Sequence, residues 1–113
     1  MNKLIQEHKK KEVVMEIRVQ AIHFDASEKL EDFIQKKCSK LEKLCDDIKK
    51  VEVLLKVVKP ESALNKDVNI KVLVPNSEFF AEKVSDTFEE SVDVCIDALS
   101  KQLMKYKEKQ RGK

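Results

Sequence analysis

The side chains best suited to nucleophilic, acid–base or soft-metal chemistry are few in this chain: two histidines, His8 and His23, and three cysteines, Cys38, Cys45 and Cys95. Their spacing assembles no site. There is no C-x-x-C pair, no histidine at ligand distance from another ligand, and no nucleophile beside a base. An odd number of cysteines without a pairing pattern reads as reduced thiols rather than a disulfide framework. His8 falls in a polar, lysine-rich N-terminal stretch and His23 in a turn, where histidine is ordinary. The single glycine, Gly112, excludes the glycine-rich loops that cradle phosphates in Walker-type and dinucleotide sites. Carboxylates are abundant, but Glu28, Glu31, Asp32, Glu42, Asp93 and Asp97 fall on polar helix faces, where solvation accounts for them. The expectation is a protein that is not an enzyme and uses no cofactor, metal or small-molecule substrate.

Lysine is the residue with a pattern. With Leu30 at zero and each residue turned by about 100°, Lys29, Lys36, Lys40 and Lys43 fall between roughly 220° and 280°, while Glu28, Glu31, Asp32, Glu42 and Asp46 fall between roughly 100° and 200°. With Leu99 at zero, Lys101, Lys105 and Lys109 occupy roughly 200° to 280°, next to Gln102 and the short Ala98. Rows of long cations at helical spacing can follow successive phosphates and release their counterions, a salt-sensitive grip that ignores sequence. The plainer reading of such rows is a solvated face of a charge-rich helix, and periodicity does not separate the two. The charge along the chain leans the same way. Residues 1–14 carry +2 and residues 101–113 carry +5, which leaves −5 for the middle of a chain whose net charge is +2. A basic tail suits a polyanionic partner, or is simply favoured by the helix dipole.

The elements that must carry these lysines follow from hydrophobic period. Met15, Ile17, Val19 and Ala21 alternate with polar residues, predicting a strand that begins near Val13. Asp25 and Glu28 have capping-box spacing and predict a helix start, after which Leu30, Phe33, Ile34, Cys38, Leu41, Leu44 and Cys45 share one face and the helix ends near Asp46 to Ile48. Val51, Val53, Leu55 and Val57 predict a second strand ending at Lys59-Pro60, and Val68, Ile70, Val72 and Val74 a third ending at Pro75. A turn at Asn76-Ser77 leads to a brief fourth strand over Glu78 to Val84. Asp86 and Glu89 repeat the capping spacing before a long helix with Phe88, Val92, Cys95, Ile96, Leu99, Leu103 and Tyr106 on its apolar face.

The order β-α-β-β-β-α makes the first two strands parallel through a helical crossover and the later pairs antiparallel. The expected fold is an α+β two-layer sandwich, a four-stranded sheet with two helices on one face. At 113 residues one core suffices, and the expected organisation is a flexible arm over 1–12, one domain over 13–110 and a tail over 111–113. No apolar run approaches a membrane span, and the N-terminal stretch lacks a signal peptide's apolar segment, so a cytoplasmic location away from membranes is expected.

The stretch IRVQAIHFDASEKLEDFIQKKCSKLEKLCDDIKKVEVLLKV resembles the first half of the bacterial ribosome hibernation-promoting factor and ribosome-associated translation inhibitor family, and SVDVCIDALSKQLMKYKEK resembles that family's closing helix. With FFAEKVSDTFEE, the resemblance runs colinearly over residues 15–110. It implies a sandwich similar in outline to a double-stranded-RNA-binding domain. It also implies binding to the small ribosomal subunit and its rRNA, over the messenger path and the aminoacyl and peptidyl tRNA sites, which idles ribosomes in stationary phase or stress. Carried over by position, Lys37, Lys40 and Lys43 match the family's basic positions in the first helix, and Lys101, Lys105 and Lys107 those of the second. Lys37 lies near the apolar face, from which it either reaches out of the groove between the helices or snorkels from a helix edge.

The chain departs from the pattern at Ala98, where close relatives often carry a cation, and Asp67 and Glu82 add negative charge that would weaken an RNA-facing patch. It resembles a short form, ending at Lys113 without the extra C-terminal domain of long forms. Residues before Met15 are outside the resemblance, as a genuine extension or an upstream start. The competing reading is a protein-interaction adaptor: Leu54, Val58 and Leu73 are expected on the sheet's outer face beside Glu52, Lys56, Asn69 and Lys71, a patch for weak self-association.

Overall fold

The computed structural model describes residues 15–111. Six elements follow in the predicted order: β1 (Glu16–Ala21), α1 (Glu28–Leu44), β2 (Lys50–Val57), β3 (Lys66–Val74), β4 (Ser77–Ser85) and α2 (Phe88–Arg111). The strands form one sheet in the order β1-β2-β3-β4. β1 lies parallel to β2, with Val19 beside Val53, and the other two pairings are antiparallel, with Val53 beside Ile70 and Ile70 beside Ala81. The α+β sandwich is therefore as expected. The strand start placed near Val13, the arm over 1–12 and residues 112 and 113 of the tail lie outside the described residues.

Alternation sets which face is dry. Val51, Val53, Leu55, Val68, Ile70 and Val72 turn to the helices and are almost wholly buried, where Ile34, Leu41, Leu99 and Leu103 meet them. At about 25 cal/mol per Å² of apolar surface, this burial is the main force holding helices to sheet. Val57 ends the β2 alternation 40% exposed, so the apolar set of that strand stops at Leu55 as core. The fourth strand is longer than its sequence signal: nine residues, paired with β3 from Ser77 to Ser85. Its mixed composition hides it because half its side chains face the open side of an edge strand.

Both helix starts shift from the expected caps. Ser27, extended at φ −68° and ψ 156°, caps α1 by accepting from the Leu30 backbone N–H at 3.1 Å, so Asp25 is not the cap. Thr87 Oγ1 accepts from the Glu90 N–H at 3.1 Å, so Thr87 rather than Asp86 caps α2. Each cap satisfies a donor that the first helical turn leaves without a partner. α1 ends at Leu44, where the Cys45 N–H still donates to the Leu41 carbonyl, slightly short of the expected end.

The turns use backbone geometry with a reason. Pro75 and Asn76 join β3 to β4, and Asn76 has φ 66°. Proline first and a positive φ second is the pattern of a type II turn, in which asparagine tolerates the left-handed position. His23, at φ 66°, and Lys59, at φ 49°, take the same region at two other turns.

Running direction follows from topology. The crossover makes α1 antiparallel to β1 and β2. α2 runs back along β3 and β4, with Ser91 Oγ donating to the Lys66 carbonyl at 2.8 Å and Gln102 donating to the Phe80 carbonyl at 3.4 Å. The two helices therefore point the same way, side by side on one face of the sheet.

Candidate nucleic-acid interface

Because the helices are parallel, equal angular positions face the same lateral direction. On α1 that direction is toward α2, and on α2 it is toward β4. The expected lysine rows are thus not mirror images across a central groove but two successive ridges across the helix layer. Lys29, Lys36, Lys40 and Lys43 are all exposed along α1 and spaced by one or two turns, the last three by about 4.5 to 6 Å along the axis. Lys101, Lys105 and Lys109 are exposed along α2. Lys107, also exposed, stands about 160° around α2 from Lys105 and outside that ridge.

Lys37 has a different place. Its side chain is only 23% exposed, its Nζ lies 2.8 Å from Asp93 Oδ1 on α2, and it sits 5.4 Å from the Phe33 ring centroid. The Asp93 hydrogen bond and charge hold the ammonium above its ordinary value near 10.5. Lys37 is therefore a tie between the helices before it is a contact for any partner. Lys101 pairs with Asp97 one turn earlier on α2 at 3.5 Å, but both side chains are more than 70% exposed, so that pair is loose. Asp93 and Asp97 thus interrupt the cationic surface near the start of α2, and the cations beyond them, Lys40, Lys43, Lys105 and Lys109, have no carboxylate partner among the described residues. Ala98 is half-buried between the α2 lysines and adds no charge.

Two expectations about neighbouring charge change. Asp67 and Glu82 lie on the open face of the sheet, turned away from both helices, so they do not weaken the helix face. Asp67 is buried there, with Lys56 Nζ at 3.8 Å and the Asn69 amide at 3.5 Å, and its hydrogen bond and charge push the Glu82 carboxyl above its ordinary value. On the same face Leu54, Val58 and Leu73 are half-buried rather than exposed, and the large apolar side chain that does stand out is Phe80, at 51%. Its signal was hidden by Phe79, whose ring turns inward.

No group of three or more His, Cys, Asp or Glu side chains gathers at metal-binding distance among the described residues. The three cysteines are free and buried, and burial pushes the Cys38 and Cys95 thiols up to about 12, which leaves them protonated and unreactive near neutrality. No described helix is long and apolar enough to cross a membrane.

A groove of about 660 Å³ lies between the C-terminal half of α2 and the start of β4. Phe79 and Tyr106 form its floor, with ring centroids 5.7 Å apart and planes at 70°. Gln102, Lys105, Glu108 and Lys109 line its rim, and Ser77 closes one end. Tyr106 reads as a core position from helical period alone, yet it is half-buried, with burial first and the Asp47 carboxylate next raising its hydroxyl's pKa. The sequence offered no sign of the groove, because it needs a strand register that places Phe79 under the last turns of a helix.

The profile of the family described as sigma 54 modulation protein / S30EA ribosomal protein matches residues 17–111, nearly the whole described unit and all but the first residue of its elements. The chain belongs to this family. Among family relatives, the ribosome hibernation promoting factor of Pseudomonas putida is 29% identical over 98 residues, covering 87% of this chain and 92% of that protein. The protein of the same name from Azotobacter vinelandii is 29% identical over 96 residues, covering 85% and 86%. A ribosomal subunit interface protein from Coxiella burnetii has the same fold at a TM-score of 0.74 and 29% identity, covering 82% of this chain and 98% of that one. The N-terminal domain of Thermus thermophilus Protein Y superposes at a TM-score of 0.71 with 18% identity, covering 81% and 99%, and attests the fold.

Proposed function

We propose that this family member is a bacterial, cytoplasmic ribosome hibernation factor. It binds the small subunit and its rRNA over the messenger path and the aminoacyl and peptidyl tRNA sites, inhibits translation in stationary phase or stress, and acts by occupancy rather than catalysis. The observation that carries the reading is that the span matched by the family profile, residues 17–111, is also the folded unit that bears both lysine ridges. Residues 13–110 then act as one ribosome-binding domain. Lys29, Lys36, Lys40, Lys43, Lys101, Lys105, Lys107 and Lys109 supply phosphate contacts, and Lys37 joins them from its bridge to Asp93. Cations without a fixed carboxylate partner among the described residues have the least to lose on meeting phosphate, so Lys29, Lys36, Lys40, Lys43, Lys105, Lys107 and Lys109 carry a larger share than Lys37 and Lys101.

The test is co-sedimentation of the purified protein with isolated small and large subunits over a salt series. Binding to the small subunit that weakens steeply with salt is expected. Equal binding to both subunits, or none at low salt, overturns the proposal. A second reading, self-association through the open sheet face, draws on the exposed Phe80 ring beside Leu54 and Lys71. It predicts a concentration-dependent dimer that Phe80→Ser abolishes, and a monomer at all concentrations excludes it.

A further inference from the structure

We infer that the groove between α2 and β4 is a seat for one unstacked nucleotide of a single-stranded RNA segment, whose base stacks on Tyr106 while Lys105 and Lys109 hold the flanking phosphates. The inference rests on the RNA-binding reading above and adds a second kind of contact to it. The lysine ridges grip charge alone; the groove offers aromatic surface at the place where the α2 ridge ends.

Four observations select this occupant. The volume, about 660 Å³, falls within the roughly 300 to 1,000 Å³ range of sites that enclose small organic groups. The floor is aromatic, and the edge-on packing of Phe79 against Tyr106 fixes the tyrosine ring in place. Pre-fixed aromatic rings are how proteins hold splayed RNA bases, at little cost in side-chain entropy. Lys105 and Lys109 stand on the rim one helical turn apart, about 6 Å, and belong to the same ridge as Lys101, so a backbone following the ridge passes directly over the groove. Finally, the rim is not purely cationic. Glu108 and the Gln102 side-chain carbonyl offer acceptors for a base amino group or a ribose 2′-hydroxyl, the groups a nucleotide presents and an inorganic anion lacks. An apolar peptide would fill the floor but leave two lysines without counter-charge.

The chain has one tyrosine and no tryptophan, so position 106 is an unambiguous reporter. Small-subunit binding is measured over a salt series for wild type, Tyr106→Phe, Tyr106→Leu and Lys40→Glu, with folding checked by circular dichroism melts. Stacking is not an ionic contact. Tyr106→Leu is therefore expected to weaken binding by roughly 5- to 150-fold at every salt concentration with the slope of log affinity against log salt unchanged, while Tyr106→Phe stays within about twofold of wild type. In parallel, p-azidophenylalanine placed at position 106 is photolysed in the complex, and a cross-link to an rRNA nucleotide is expected.

Wild-type affinity in Tyr106→Leu, or a cross-link to a ribosomal protein instead of RNA, overturns the groove proposal. If Lys40→Glu is weakened in the same series, the ribosome reading survives that failure. Absence of wild-type binding at low salt overturns both. Should Tyr106→Leu fail to fold, the cross-link at position 106 decides alone, and no cross-link to rRNA counts against the proposal.

Discussion

The two faces of this sandwich use their cations in opposite ways, the open face carrying four (Arg18, Lys50, Lys56 and Lys71) and the helices nine lysines among those named above. On the open face of the sheet, cations are matched to carboxylates across and along strands. Lys50 lies 3.1 Å from Glu52, Arg18 lies 3.0 Å from Glu16, and Lys56 lies 3.8 Å from Asp67. The Glu52 carboxyl is held below its ordinary value, first by Lys50 and then also by Lys71 and Arg18. On the helix face the lysines gather into ridges, and among the described residues pairing is confined to Asp93 and Asp97 near the start of α2. Matched charges cancel beyond a Debye length of about 10 Å, whereas a segregated row keeps its field. A small net charge therefore conceals one face suited to a polyanion and one face that is nearly neutral.

Changing both faces alike gives the widest separation. Replacing Lys36, Lys40, Lys43 and Lys105 with Gln is expected to lower small-subunit affinity by roughly a hundredfold or more near 0.1 M salt and to flatten the salt slope by about three to four. Replacing Arg18 and Lys50 on the open face with Gln is expected to change affinity by less than about threefold, since paired surface charges contribute little. Sedimentation of both variants over one salt series checks this. Equal losses would mean that pairing does not decide which cations meet RNA.

The ridges hold their positions only while α2 stays registered on β3. Ser91, fully buried, donates to the Lys66 carbonyl, and its hydroxyl lies 2.7 Å from that of Ser85, which in turn donates to the Thr87 carbonyl. Ser91→Ala takes the donor from the Lys66 carbonyl and the neighbouring hydroxyl from buried Ser85, and is expected to cost about 1 to 3 kcal/mol of stability in denaturant titrations. Small-subunit affinity of the folded protein should stay near wild type. A large loss of affinity without loss of stability would show that the serine pair positions the ridges rather than merely holding the layer down.

What the sequence disclosed follows the range of the interaction. Element order and core membership were legible because they are written in local period: Val51, Val53 and Leu55 alternate, and Leu30, Ile34, Cys38 and Leu41 recur by turns. Cap positions slipped because Asp25 and Ser27 are both competent caps in composition, and only backbone geometry at Ser27 selects between them. The lysine rows were legible as rows, but their relation to one another was not. It depends on the helices being parallel, which turns the α1 ridge toward α2 and the α2 ridge toward β4. The Lys37–Asp93 bridge and the Phe79–Tyr106 floor were invisible, since each joins residues distant in sequence through a packing geometry that no local pattern encodes.

The smallest effect separates two carboxylates on the open face by pH. Glu52 sits below its ordinary value, so its interactions stabilise the fold above about pH 4.5 and are lost as pH falls through its folded value. Glu82 sits above its ordinary value of 4.5, chiefly through the hydrogen bond with buried Asp67 and its own desolvation. Its ionisation is therefore harder in the fold than in the unfolded chain, and the cost to folding builds as pH rises above about 4.5 and is complete above its folded value. Glu82→Gln should raise Tm at pH 7, with the gain shrinking as pH falls and vanishing below about pH 4.5, where both states are protonated. Glu52→Gln should lower Tm at pH 7, with the loss fading at acid pH. Thermal melts across that range read both, and small-subunit affinity should move with neither. Should Glu82→Gln instead lose stability at pH 7, the pairing of Asp67 with Lys56 would depend on Glu82 as a third member, and the open face would hold a charge network rather than matched pairs beside one strained carboxyl.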